Sequence, residues 1–356
     1  MAEYINNKLI CYSSKYFLFG KGAKLLVADT FEGKQHPIGT LPVGTAKSIL
    51  GSIRLMARAL RLEIRCGIFV DESTALVSYH GAIYRVDCNT GSITLEHSFR
   101  SEMNNPLCFT KIEGVAGFTD GIYYGEYFLN HANAAVSIYR READCSWNAV
   151  YTFPAGSIYH IHGIISCPAR NSVFVLTGDK DAESGIYEFK NDFSEVTTIV
   201  SGHQKYRSCI ALPTAEGMLY TTDTPLETNY LYYLDFATKE TKEVMEIAGP
   251  CIYGKVISEN EMLFSTSVEP DSNITGLRYE FTNILGPGVK DRYTHLYSVK
   301  VDADGIHPKE IFKAKKDILP MGAGQFGTLM FPAGADQVYV TGQAVNRYDN
   351  KTIIIN

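Results

Sequence analysis

The chain has 356 residues, 45% apolar and 20% charged, which excludes an unstructured polypeptide and provides for a packed core. Its formal net charge of −6 at pH 7 argues against a general nucleic-acid binder. Tyrosine (23) and phenylalanine (18) are abundant beside a single tryptophan, Trp147, a composition that favours pleated sheet.

Taken from the start, "MAEYINNKLICYSSKYF" has no basic region followed by an apolar run and a small-residue cleavage site, so no signal peptide and a cytoplasmic location are expected. No apolar run approaches the roughly 18 residues that span a bilayer, so no transmembrane segment is expected. "KLICYSS" and "LLVADTFEGK" (from Leu25) read as strands. "TAKSILGSIRLMARALRL" (Thr45–Leu62) breaks the pattern. Ile49, Ile53, Met56 and Leu60 recur at helical spacing, with Lys47, Arg54, Arg58 and Arg61 elsewhere on the wheel, so one amphipathic helix packed through its apolar face is expected here. Docking to a membrane surface or a partner is the alternative use of such a face.

Next comes an aromatic-rich strand ending in a polar turn, repeated along the chain. It reads "AIYRVDCNTG" (from Ala82), "SIYRREADCS" (Ser137), "GIYEFKNDFS" (Gly185), "LYYLDFATKE" (Leu231) and "HLYSVKVDADG" (His295), with weaker copies at Leu25 and in "AVNRYDNKT". The spacing of about 45–65 residues suits four-stranded propeller blades. "HIHGIISCPARNSVFVLTGD" (His160–Asp179) lies without gaps on "KYRSCIALPTAEGMLYTTDT" (Lys205–Thr224), each a strand, a Pro-containing turn, a strand and a polar exit. Seven copies predict an all-β, seven-bladed β-propeller spanning 1–356 as one domain, with six blades as the alternative. The helical insertion at about 45–62 and a long loop at about 269–295 interrupt it. The strand-like ends "KLICYSS" and "KTIIIN" are expected to complete one blade together.

The eight cysteines are scattered, with no C-x-x-C pair, and read as buried thiols rather than as a zinc ribbon or redox motif. No Gly-rich phosphate loop, G-x-S-x-G elbow or H-E-x-x-H occurs.

The strand "YHIHGIISCP" opens with two histidines two residues apart, which share one face of a strand. On the gap-free match His160 falls on Lys205 and His162 on Arg207, while Arg65 in "EIRCGIFVD" stands one residue off. If these strands line a channel, Arg65, Lys205 and Arg207 converge there and suit an anion, since the guanidinium fork matches a carboxylate. The second-strand exits add Glu126, Asp179, Asp223 and Glu269, with Tyr206 and Tyr253 close by. Arginine, histidine, tyrosine and acid are the ingredients of glycosidic cleavage by hydrolysis or by elimination at a uronate. On this reading His160 or His162 transfers a proton with Tyr206 or Tyr253, Glu126, Asp179 and Asp223 are candidate acids, and Arg65, Lys205, Arg207 and Glu269 bind the sugar. His162→Ala and Arg207→Ala are expected to impair function while barely changing the melting temperature. The plainer readings are core histidines and turn-capping acids. His131 or His203 would have to complete a metal site with the pair; no third ligand stands in register, so no metal or other cofactor is expected.

"SIYRREADCSWNAVYTF" resembles the Asp-box turn, S-x-D-x-G-x-T-W, of BNR-repeat sialidase-like propellers: Arg140 stands at the Ser position, Glu142 at the Asp, Asp144 at the Gly and Ser146 at the Thr, and Trp147 is kept. From about Phe109 to Glu269 the chain looks like uncharacterised bacterial BNR-like proteins associated with surface-polysaccharide metabolism. The resemblance implies a β-propeller and work on glycans. The expected partner is therefore an acidic carbohydrate, as substrate of a glycosidase or lyase, or as ligand of a non-catalytic glycan- or protein-binding propeller. The oligomeric state is left open.

Overall fold

The computed structural model describes residues 3–335 and 337–355. Seven four-stranded antiparallel sheets form the blades of a propeller, as the repeat predicted. In chain order the innermost strands are Lys8–Tyr12, Cys66–Phe69, Thr110–Ile112, His160–Cys167, Ser208–Pro213, Tyr253–Ser258 and Thr328–Met330, defining blades 1 to 7. The tyrosine phrases of blades 2 to 6 are third strands, whereas "AVNRYDNKT" is mostly the turn that leads into the third strand of blade 7, Lys351–Ile355. Blade 7 takes strands from both chain ends, but the N-terminal one is Tyr4–Asn6, which pairs with Lys351–Ile355 and closes the ring, whereas the expected "KLICYSS" is the inner strand of blade 1.

Burial follows position in the blade. Each sheet is sandwiched between its neighbours, so second strands such as Ser172–Gly178 and Gly217–Thr222 are buried throughout. The outermost strand Glu195–Ser201 is mostly exposed. Phe19, Tyr123, Phe174, Tyr220 and Phe264, all on second strands, are less than 2% exposed. Each such side chain contributes on the order of 2–3 kcal/mol through removal of apolar area from water.

The insertion after blade 1 differs from its predicted form. It is two short helices, α1 (Thr45–Ser52) and α2 (Arg54–Ala59), separated by Ile53 in an extended conformation. Its apolar face is not the buried one: Ile49 is 60%, Ile53 51% and Leu60 47% exposed, whereas Arg58 is 3% exposed. The cause is a set of polar anchors. Arg58 Nε donates to the Gly324 carbonyl at 2.9 Å, and its guanidinium pairs with Asp317 at 2.5 Å. Arg54 pairs with Asp349 at 2.6 Å and with Glu63. Asp317 and Gly324 lie just before blade 7 and Asp349 lies within it, so the insertion is tied to the blade that closes the ring.

The segment predicted as a long loop leaves the second strand of blade 6 and carries a short helix, α3 (Leu277–Phe281). Isolated bridges Val268–Gly327 and Pro270–Leu285 hold it, and its last residues already belong to the third strand, Tyr293–Asp302. Among the described residues no helix is long and apolar enough to cross a membrane.

Candidate functional site

Antiparallel pairing brings the start of each inner strand opposite the end of the second strand. Lys8 faces Gly20, His160 faces Gly178, Ser208 faces Thr222 and Tyr253 faces Ser265. The starts and the acidic exits therefore gather at one mouth of the channel. A cavity of about 470 Å³ occupies the channel, its wall including Lys8, Arg65, His162, Cys209 and Tyr253. A second, of about 260 Å³, shares Lys8, Arg65 and Tyr253 and adds Tyr127 and Gln325.

His160 and His162 do share a face: their ring centroids are 4.8 Å apart and both residues are 2% exposed. The ladder slips between Ile161 and Gly163, and Gly178 across from it leaves the room that His162 fills; a Cβ there would lie 2.3 Å from His162 Cε1. His160 Nδ1 is 3.0 Å from the Phe128 carbonyl, and His162 Nδ1 is 3.2 Å from the Ser208 carbonyl. A carbonyl only accepts, so both Nδ1 atoms carry the hydrogens and donate. In the neutral form each ring then presents an Nε2 lone pair. These two Nε2 atoms are 2.9 Å apart, and lie 3.4 Å (His160) and 3.2 Å (His162) from Asp179 Oδ1. The third member of this cluster comes from the adjacent strand, where a search for a further histidine in register does not reach. His131 instead lies 3.4 Å from the Tyr159 hydroxyl, and His203 caps the turn before blade 5.

Arg207 holds Asp179 twice, from Nη2 to Oδ1 at 3.0 Å and from Nη1 to the main-chain oxygen at 3.1 Å. Gln204 donates to that same main-chain oxygen at 2.8 Å. Burial alone would raise the Asp179 carboxyl; Arg207 and the two imidazoles outweigh it and hold the group well below its usual range. Burial lowers His162, with Asp179 opposing. Asp223 Oδ2 lies 3.7 Å from Arg207 and accepts from the Cys209 thiol at 3.3 Å. Glu269, hydrogen-bonded by Ser267, is pushed up to about 8, first by burial and then by the charge of Asp223. Asp223 and Glu269 are 5% and 8% exposed and line neither cavity.

The opposite wall is built differently. Arg65 stacks over the Tyr253 ring at 5.5 Å. Among the described residues its guanidinium has no carboxylate or hydrogen-bond partner. Lys8 Nζ donates to the Ile64 and Arg65 carbonyls at 2.9 and 3.1 Å, and burial lowers it to about 8. Tyr127 bridges the walls: its ring is 4.2 Å from that of His160, and burial followed by the charge of Asp179 raises its phenol.

Three residues expected at this mouth lie elsewhere. Lys205 sits in a turn (Gln204–Tyr206) over the Tyr206 ring, because the blade 5 ladder begins only at Ser208. Tyr206 packs against the core between blades 4 and 5. Glu126 turns away to accept the Ser137 amide at 2.8 Å and lies 3.5 Å from Arg100, a turn-capping role. Conversely, Cys209 and Lys8 line the site without a signal in the sequence, and Tyr127, one of the tyrosines near the acidic exits, joins them. Strand alternation carries the signal for Tyr127, since it opposes Glu126 across the backbone.

The fold is similar to a chain of the mitotic checkpoint complex crystal structure (TM-score 0.55, 8% identity, covering 99% of this chain and 92% of that one). It is similar to an oligogalacturonate lyase in complex with manganese (TM-score 0.53, 10% identity, 99% and 90%). An oligogalacturonate lyase from Vibrio parahaemolyticus gives 0.51 and 12%, covering 93% and 88%. At such identities the likeness is one of fold. No protein-family model matches the chain, and no curated protein matches it in sequence. The Asp-box resemblance thus finds no family behind it, and what stands is a seven-bladed propeller with a titratable channel mouth.

Proposed function

We propose that this chain is a carbohydrate-active propeller that takes an acidic, uronate-like glycan at the channel mouth and cleaves it by elimination. The observation that carries the reading is Arg65: a guanidinium lining both cavities, flanked by Tyr253, with no acid to neutralise it among the described residues. Such a group suits a sugar carboxylate.

Elimination needs three things, and the mouth supplies each. Arg65 neutralises the carboxylate, which makes the neighbouring C5 proton more acidic. The Nε2 lone pairs and Asp179 form a basic pole that receives this proton, directly or through water. The C5–H electron pair becomes the C4=C5 double bond, the C4–O4 bond breaks, and the departing oxygen takes a proton from the Tyr253 or Tyr127 hydroxyl. Burial raises both phenols, which keeps them protonated as donors. Hydrolysis is favoured less, because it needs two accessible carboxyl groups and Asp223 and Glu269 are buried away from the cavities. That two proteins of similar fold are oligogalacturonate lyases supports the substrate class by analogy.

The test is a screen of the purified chain against oligogalacturonates, other uronate-containing oligosaccharides and sialylated glycans. Growth of the ultraviolet absorbance of an unsaturated uronate is expected. New reducing ends without that absorbance would replace elimination by hydrolysis. Binding of an intact acidic glycan with no turnover would leave a non-catalytic glycan-binding propeller.

A further inference from the structure

We propose that His160, His162 and Asp179 form a binding site for one divalent transition-metal ion, held through the two Nε2 atoms and Oδ1. The inference rests on the contacts of these side chains and stands apart from the sugar reading.

Counting hydrogens leads to it. Both Nδ1–H groups are spent on main-chain carbonyls, at Phe128 and Ser208. The three atoms that remain, Nε2, Nε2 and Oδ1, are all acceptors, and they face one another at 2.9, 3.2 and 3.4 Å. One shared proton satisfies a single edge of this triangle and leaves the other lone pairs opposed in a buried place, which is unfavourable. A metal ion satisfies all three at once. With metal–ligand bonds of about 2.0–2.2 Å, adjacent donors on a tetrahedral or octahedral ion lie roughly 2.8–3.5 Å apart. The observed separations fall in that range.

The surroundings are those of a metal ligand set. Ligating histidines characteristically donate the other ring N–H to a carbonyl or carboxylate, which fixes the tautomer and the ring. Here both do. Arg207 fixes Asp179 from two directions and acts as a positioning residue. Its single charge is shared between Asp179 and Asp223. Two imidazoles and one carboxylate are borderline donors suited to Mn²⁺, Fe²⁺, Co²⁺ or Zn²⁺, and three protein ligands leave coordination positions open. Those positions have access to solvent: Asp179's side chain is 35% exposed, and His162 lines the channel cavity. His160, His162 and Asp179 would hold the ion, which would make a water at an open position more acidic and so able to supply a base.

The experiment uses the full chain, dialysed against a chelator and titrated with Co²⁺, then with Mn²⁺ and Zn²⁺. Calorimetry gives the stoichiometry, and the visible Co²⁺ spectrum reports nitrogen–oxygen coordination independently of any activity. One ion per chain is expected. Its affinity should fall in His162→Gln and Asp179→Asn by more than the roughly 10–100-fold that loss of an outer-shell partner costs. Because His162→Gln also alters a buried side chain, the wild-type chain carries a second readout. Mn²⁺ should selectively broaden the imidazole resonances of His160 and His162 and leave those of His295 and His307 sharp. No ion bound to the folded wild-type chain, or binding without effect on the His160 and His162 resonances, overturns the proposal and leaves a shared proton between the rings.

Discussion

The two walls of the channel mouth bear similar residue types and treat them in opposite ways. On the wall of blades 4 and 5, every charged group is held by another: Arg207 by Asp179 and Asp223, and Asp179 also by two imidazoles. On the wall of blades 1 and 2, Arg65 rests on an aromatic ring with no acid in contact, and the acid in the wall of its cavity, Glu63, is paired with Arg54. The difference teaches that an arginine at a channel mouth is informative only once its partners are known. A guanidinium already satisfied by two carboxylates organises the site, whereas one left open is available to a ligand.

Removing each arginine should separate these roles, and the largest effect belongs to Arg207→Ala. It strips the counter-charge from Asp179 and Asp223, and breaking such a buried pair costs about 3 kcal/mol, the low end of the usual range because Asp179 keeps some contact with water. Urea denaturation should show this as a lowered midpoint. The expectation from sequence that this substitution leaves the melting temperature almost unchanged does not agree with the ion pairs that Arg207 makes. Equal destabilisation by Arg65→Ala would erase the contrast between the walls.

Arg65→Ala should act on binding instead. Loss of a charged hydrogen bond to a carboxylate is worth about 1.5–3 kcal/mol, or roughly 10–150-fold in affinity for a uronate oligosaccharide. The denaturation midpoint should move little, since no acid is left unpaired. Calorimetric titration of both variants with the same oligosaccharide checks the pair of predictions, and unchanged affinity in Arg65→Ala would contradict the assignment of the open wall.

A smaller, pH-dependent effect tests the closed wall. Glu269 is pushed up to about 8 from an ordinary 4.5, so between these values the folded chain keeps a proton that the unfolded chain releases. Its contribution therefore makes the protein less stable as pH rises through that window. Glu269→Gln removes this slope. The variant should gain on the parent as pH rises from about 5 to 8, with the difference level above that; urea midpoints at about pH 5, 7 and 9 measure it. A constant difference across the series would mean that Glu269 is ionised in the folded chain throughout.

Much of this architecture is written locally. The tyrosine phrases of blades 2 to 6 mark third strands, and the C-terminal strand Lys351–Ile355 closes blade 7 as predicted, but its N-terminal partner is Tyr4–Asn6 and not "KLICYSS", which is the inner strand of blade 1. His160, His162, Asp179, Arg207, Asp223, Glu269, Tyr253 and Arg65 all come to the same mouth or directly behind it, because antiparallel pairing joins strand starts to exits. What was not legible depended on distant partners. The insertion's helical wheel pointed its apolar side inward, yet Arg58 is bound by Asp317 and Gly324, more than 250 residues away in sequence. Nor could spacing show that Arg207 and Asp179 neutralise each other, since that needs the rotamers of two adjacent blades.

The smallest expected effect falls where the alignment of repeats misled. Lys205 matches His160 position for position, but the two blades start their inner strands at different points. In blade 4 the ladder is formed from His160, while in blade 5 it is formed only from Ser208. The four residues before Ser208 include the 3₁₀ turn Gln204–Tyr206, which carries Lys205 to the ring of Tyr206 and leaves Arg207 to reach Asp179. A lysine over an exposed part of a tyrosine makes a weak contact, and substitutions away from a buried network usually stay within about 0.5 kcal/mol. Lys205→Ala should therefore match the parent in urea midpoint, in Co²⁺ affinity and in affinity for an acidic oligosaccharide. A drop in oligosaccharide affinity alone would show that the ligand extends past the channel mouth onto the turn before blade 5, where a cation of the other wall would then join Arg65 in holding it.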